Sequence, residues 1–308
     1  MLLMKKSMIF LIFILSFLFI SFSYLYLTKP KQMPFMAHFF DKVFYGSLYY
    51  LNLPDKSYTY KKTRNSNLKL HIFNPKKPIS NSSILLFHGG GWAFGSSYSL
   101  FKMCKDISNE GILCISADYQ LALKHNSKVT DSMNDARDAF DWMIDNSSKL
   151  NIDKNNIFVG GGSSGGHLAA SLAMIPNEKG ETYKNIKAMI FFNPALNTSF
   201  FDRELPNNIN DRRKDLWLYI QKLFEGKSNE LSPSNYIKEG LPPSIIFHGK
   251  SDRTIPINIV EEFTNEMTKK GNSIKLLKWD NKGHQFYRWD KEAYPQVMNQ
   301  LIKFIKDF

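Results

Sequence analysis

Cysteine is nearly absent: the 308 residues hold two, Cys104 and Cys114, with neither a Cys-x-x-Cys nor a metal-ligand spacing. That excludes a zinc module and a disulfide-dense scaffold. The two thiols read as small apolar fillers, one on a helix and one on a strand, with a single disulfide left open if the domain lies outside the cytoplasm. Acidic charge is also short, 28 Asp and Glu against 40 Lys and Arg, for a net charge of +12. Nine of the basic residues, against two acids, fall at or before Arg64, and the remaining excess is spread thinly. No basic stripe is interleaved with aromatics and no nucleic-acid module signature occurs, so the reading is no nucleic acid; anionic lipid head groups fit the N-terminal charge better. Internal repeats and low-complexity tracts are missing too. With 43% hydrophobic and 14% aromatic residues, the chain has material for a large core, which excludes disorder for its bulk.

What is present begins with an uncharged run from Ser7 to Thr28, preceded by Lys5 and Lys6. About 20 apolar residues in helical form span a hydrocarbon layer of about 30 Å. The run exceeds a normal signal-peptide core and ends in Tyr24-Leu25-Tyr26-Leu27, aromatics suited to a membrane interface. The expectation is an uncleaved signal-anchor over 1–28, with cleavage after the small residues Ser21 and Ser23 left open. Residues 29–56 follow as an aromatic, basic juxtamembrane or cap helix. The positive cluster at the amino terminus predicts a short cytoplasmic tail and an extracytoplasmic domain, although Lys29 and Lys31 pull the other way.

From residue 57 to 308 apolar strands alternate with helical patterns. The strands are expected at Tyr58–Lys62, Leu68–Phe73, Ser83–His88, Ile112–Ala117, Asn156–Gly160, Ala188–Phe192, Ser244–His248 and Ile274–Trp279. Helices are expected at Ser97–Asn109, Thr130–Lys149, Gly165–Met174, Pro256–Lys270 and Glu292–Phe308. An initial hairpin followed by β-α units predicts an α/β fold with a mainly parallel eight-stranded sheet and helices on both faces. Residues 196–240 break the rhythm with an extra helix near Arg212–Phe224, a natural place for a cap insertion.

Chemistry concentrates after the strands. Ile157-Phe158-Val159 runs into Gly160-Gly161-Gly162-Ser163-Ser164-Gly165-Gly166 and then a helix. In that strand–turn–helix context Gly-x-Ser-x-Gly marks a nucleophile elbow, whose serine projects at a helix N-terminus. Ser163 and Ser164 both fit the pattern. The end of the strand sets Ser163 better, leaving the Ser164 N–H where an oxyanion donor is wanted. Upstream, Ile84–Phe87 ends in His88-Gly89-Gly90-Gly91-Trp92, a glycine loop able to curl its N–H groups towards a ligand. His88 reads as a brace for that loop.

The order Ser, then acid, then His picks Asp252, after the strand Ser244–Phe247, and His284, after Ile274–Trp279 and Gly283. A histidine that takes a serine proton needs a carboxylate at its other nitrogen. His248 comes straight off its strand and reads as structural, and Asp202 is the rival acid.

His88–Trp92, Asp118-Tyr119-Gln120-Leu121, Gly161–Ala169, Leu231-Ser232-Pro233, the stretch around Asp252 and Gly283-His284 together resemble the hormone-sensitive-lipase-like esterases. They resemble more closely the neighbouring acetyl-esterase and feruloyl-esterase-like enzymes. The resemblance runs from about Leu68 to the C-terminus. It implies the α/β-hydrolase fold, an oxyanion hole of Gly90, Gly91 and Ser164, and a carboxylic ester hydrolase with no cofactor and no metal, acting on small-molecule, short-chain, acetyl-type esters. Gly162 and Ser164 depart from the family's usual acidic residue and alanine, and Gln120 from its arginine. Two other readings share the motifs: an amide hydrolase of the same fold, and a silent membrane-anchored binding protein. Nothing in the sequence sets the oligomeric state.

Overall fold

The computed structural model describes residues 52–64, 66–78, 81–202 and 211–308. Strands β1 Lys56–Lys62, β2 Asn67–Phe73, β3 Ser83–Phe87, β4 Leu113–Ala117, β5 Ile157–Gly162, β6 Ile186–Phe192, β7 Ser244–Gly249 and β8 Ile274–Trp279 form one sheet. Its order is β1-β2-β4-β3-β5-β6-β7-β8. The pairs β1–β2 and β2–β4 are antiparallel and the rest are parallel, the mainly parallel eight-stranded sheet that the alternation predicts. The longer helices among the described residues are α1 Phe101–Asn109, α2 Val129–Asp145, α3 Ser164–Met174, α4 Asp211–Leu223, α5 Ile257–Lys269 and α6 Ala293–Lys306.

Strands β3, β4, β5 and β7 are buried along their whole length. That is why they read as continuous apolar runs: a parallel sheet covered on both faces has no polar side to alternate with. Successive residues feed opposite cores, Leu85, Phe87, Ile157 and Val159 one, Ile84, Leu86 and Phe158 the other. Because β3 and β5 to β8 run parallel, the loops that follow them emerge at one edge of the sheet. Ligand sites in such folds lie outside the carboxyl ends of the strands.

Several boundaries differ from expectation. The β5 ladder continues two residues past Gly160, since Gly161 and Gly162 pair with Phe191 and Phe192. The helix expected at Ser97–Asn109 starts as a 3-10 turn, and the one expected over 130–149 breaks at Asn146 into α2 and a short turn. The two cysteines are not separate fillers. Cys104 on α1 and Cys114 on β4 form a disulfide with Cα atoms 5.1 Å apart, both within the core where α1 lies on β4. The signal-anchor expected over 1–28 and nearly all of the helix expected over 29–56 lie outside the described residues; among the described residues no helix is long and apolar enough to cross a membrane.

Candidate active site

At the end of β5 the backbone turns sharply through Ser163, at φ 53° and ψ −119°, and α3 begins at Ser164. A non-glycine residue rarely adopts positive φ, and here its neighbours hold it. The Ser163 N–H donates to Phe192 O at 3.0 Å, and its carbonyl accepts from the N–H groups of Gly166, His167 and Ala195. The flanking glycines are a steric necessity. A Cβ on Gly161 would stand 2.5 Å from the Gly165 carbonyl carbon, and one on Gly165 would stand 2.5 Å from His88 O. At Gly162, where the resembled family often carries an acid, a Cβ would run into the phenol of buried Tyr287, whose ring stacks on Phe192 at 4.8 Å. Tyr287 therefore accounts for that departure. Ser164 is the first residue of α3, so its N–H has no intrahelical acceptor.

The glycine loop after β3 packs on this elbow: a Cβ on Gly89 would stand 3.2 Å from the Ser163 Cβ. Gly90 and Gly91 take φ of 138° and 60°. Gly90 O accepts from the N–H groups of Ala93 and Phe94, which closes the turn. His88 is wholly buried and its Nδ1–H donates to Gly89 O at 2.8 Å. Tyr119 stacks on the His88 ring at 4.3 Å and donates from its hydroxyl to His88 O. Burial drives the His88 pKa down to about 4, so it stays neutral and serves as the expected brace.

After β7 the chain presents Asp252, whose carboxylate has no exposure. Its Oδ1 accepts from the Thr254 and Ile255 N–H groups, at 2.8 and 3.0 Å. Its Oδ2 accepts from His284 Nδ1 at 2.7 Å and from Asn193 Nδ2 at 2.5 Å. Burial alone would raise the Asp252 pKa, but the hydrogen bonds from His284, Ile255 and Thr254 outweigh it and hold the group below the usual carboxylate range. His284 keeps 18% side-chain exposure, so it faces the open end of the site. Three residues further on, Tyr287 lies against Gly162, which ties the His284 loop to the elbow. His248 is fully buried and donates from Nε2 to Ile255 O, stiffening the acid loop. The rival Asp202 instead accepts a hydrogen bond from Ser228, so the carboxylate that meets His284 is that of Asp252.

Asp252 and His284 are thus paired, the glycine loop packs against Ser163, and Tyr287 brings the His284 loop to the same elbow. Asn193 escaped the sequence reading. No sequence signal marks it: its burial and its contact with Asp252 emerge only once β6 lies beside β7, at the sheet edge that carries His88 and Asp252. Among the described residues no group of three or more His, Cys, Asp and Glu side chains could hold a metal ion.

Between β6 and β7 the chain leaves the alternation and places α4 beside the glycine loop. Trp92, itself at φ 57°, meets Phe224 edge-on at 5.0 Å and Phe201 at 6.0 Å. Phe201 meets Trp217 of α4 at 5.0 Å, and the Trp217 indole donates to Phe201 O.

A strained serine at a strand–helix elbow, a glycine loop against it and an Asp–His pair on later loops define a protein of the α/β-hydrolase carboxylesterase class, of the hormone-sensitive-lipase-like type. Comparison with known proteins narrows this. The BD-FAE family profile matches residues 70–267, and the chain belongs to that family. Among solved structures it is similar to a thermophilic esterase of Thermogutta terrifontis, Est2, bound to butyrate, with 32% identity and a TM-score of 0.69, over 82% of this chain and 93% of that one. The same esterase is also known phosphonylated by sarin. An arylesterase of Saccharolobus solfataricus is 32% identical over 118 residues, 38% of each chain. Esterase LipC of Mycobacterium tuberculosis is 24% identical over 68% of this chain and 54% of its own. The chain spans about half or less of the length of these curated relatives.

Proposed function

We propose that this protein is a serine carboxylic ester hydrolase acting on short-chain, acetyl-type esters. The observation that carries the reading is the buried Asp252 carboxylate receiving His284 Nδ1 beside the strained Ser163 elbow. The pairing leaves His284 Nε2 as the base. In the reaction Nε2 takes the Ser163 Oγ proton as Oγ bonds the acyl carbon. The carbonyl electron pair moves onto oxygen, which the Gly90, Gly91 and Ser164 N–H groups receive. The bond to the alcohol then breaks, and the alcohol leaves with the proton from His284. Water repeats the sequence: it gives a proton to His284, adds to the acyl carbon and expels Ser163, which regains its proton as the acid departs. No step calls for a cofactor. The esterase of known structure that forms a phosphonyl adduct with sarin supports an activated nucleophile, and its butyrate complex supports a short acyl group.

Residues 57–308 form the catalytic domain in this reading, with 196–240 as its cap. The segment 1–28, through its uncharged run from Ser7 to Thr28, anchors it to a membrane and 29–56 links the two. The Cys104–Cys114 disulfide supports an extracytoplasmic domain, because paired thiols persist in oxidising compartments.

One experiment addresses nucleophile and placement together. A membrane-impermeant fluorophosphonate applied to intact spheroplasts is expected to label the wild type and Ser164→Ala, and to leave Ser163→Ala unlabelled. Labelling of the Ser163 variant would reject the nucleophile, and labelling of the wild type only after lysis would place the domain in the cytoplasm. Esters assayed beside matched amides then separate an esterase from an amidase.

A further inference from the structure

Helix α4 is exposed or half exposed along its described side chains except at Ile220, which is buried at 8% exposure. What that side chain covers is specific. A Cβ added to Gly91 would stand 3.0 Å from Ile220 Cδ1 and 3.4 Å from its Cγ1. The tip of Ile220 therefore lies directly on the glycine loop, at the α-carbon of a residue whose N–H the proposed mechanism uses as an oxyanion donor. An acyl group whose carbonyl oxygen meets Gly90 and Gly91 has Ile220 as its neighbour.

The two cores tell which half of an ester that neighbour is. Ile220, Trp92, Phe201 and Phe224 belong to the core on one face of the sheet. Phe286 and Tyr287, which follow His284, belong to the core on the other. The alcohol departs as it takes the proton of His284, so it leaves on the His284 side. The acyl group is left on the side of α4. The aromatic contacts of Trp217 with Phe201, and of Phe201 and Phe224 with Trp92, fix α4 to the loop, so Ile220 cannot swing clear without disturbing Trp92.

We propose that Ile220 is the specificity-determining residue for acyl length, closing the acyl site above Gly91. The proposal rests on the esterase reading and deepens it. Ile→Ala removes three carbons and Ile→Val one, so the space released matches about three and about one acyl methylenes. Each methylene in an apolar pocket is worth roughly tenfold or more in kcat/KM.

The test uses the full chain in detergent micelles with 4-nitrophenyl esters from acetate to decanoate. Ile220→Ala is expected to move the kcat/KM maximum longer by about three carbons, Ile220→Val by about one, and Ile220→Phe to shorten it towards acetate. In Ile220→Ala the octanoate-to-butyrate ratio should rise at least about tenfold. A parallel series of acetates with different alcohols should keep its ranking. An acyl profile that falls uniformly without moving in both Ile220→Ala and Ile220→Val would overturn the proposal, leaving Ile220 as a mere clamp for α4. A shift in the alcohol series instead of the acyl series would also overturn it. If the wild type turned over no ester and took no fluorophosphonate, the esterase reading itself would fall and this inference with it. Wild-type turnover with an unmoved profile removes only the role of Ile220.

Discussion

Ser163 and Ser164 carry the same side chain one residue apart, yet only the first takes the left-handed backbone and stands free of the helix. Both hydroxyls were legible as candidates, and the end of the β5 apolar run separated them. Asp252 and His284 were legible for a similar reason, since each follows a strand in the order the chemistry needs. Asn193 was not, because an asparagine before a proline reads as an ordinary turn, and its role depends on β6 lying beside β7. In the proposed mechanism the roles of the acid and base differ in kind, which kinetics can read. His284→Ala removes the base and should lower kcat on the order of 10⁴-fold or more. Asp252→Asn keeps the shape but offers Nδ1 a poorer acceptor, so a similar loss of about 10⁴-fold is expected, with KM little changed. If Asp252→Asn stayed fully active in a steady-state ester assay while Asp202→Asn did not, the acid would be misassigned.

At the scale of elements, the strands were legible because burial on both faces leaves an unbroken apolar run. Their order was less so. Strand β4 inserts between β2 and β3, and no local pattern records which edge a crossover returns to. The disulfide was hidden for the same reason: Cys104 and Cys114 look like apolar fillers until α1 is laid on β4. Their separation of 10 residues closes a short loop, for which the chain-entropy account gives about 2–3 kcal/mol of stabilisation. Cys104→Ser combined with Cys114→Ser should lower the unfolding free energy from urea titration by that amount, and the midpoint with it, with fluorophosphonate labelling retained at low denaturant. A midpoint unchanged from wild type under oxidising conditions would show that the bond contributes nothing.

Across the whole molecule, three fully buried histidines, His88, His167 and His248, set the response to acid, each with its pKa lowered by burial. Burial lowers both His88 and His167 from an ordinary 6.5 to about 4, the latter with its Nε2–H held by Leu231 O. Unfolded, they bind protons that the folded chain refuses. The stability they contribute is therefore complete above about pH 6.5 and drains away as the pH falls to about 4. Asp252, held low in the folded state, works in the same direction at still lower pH, because its unfolded carboxyl takes up a proton first. Urea titrations between pH 7.5 and pH 4 should thus show a falling midpoint. A flat profile would mean that these imidazoles are solvated. Little of this is readable from composition, since seven histidines in a sequence say nothing of which are sealed from water.

The backbone of Ser163 has a meaning for evolution as well as for catalysis. Its φ of 53° with ψ of −119° suits glycine, and a side chain there costs on the order of 1–3 kcal/mol. Ser163→Gly would relieve that cost, offset by roughly 0.5–1 kcal/mol of added freedom in the unfolded chain. The inactive variant should unfold at a higher urea concentration than the wild type; an equal or lower midpoint would mean the elbow is not strained. Selection for robustness alone would thus favour glycine at this position, and under the proposed mechanism it is selection for turnover that keeps Ser163.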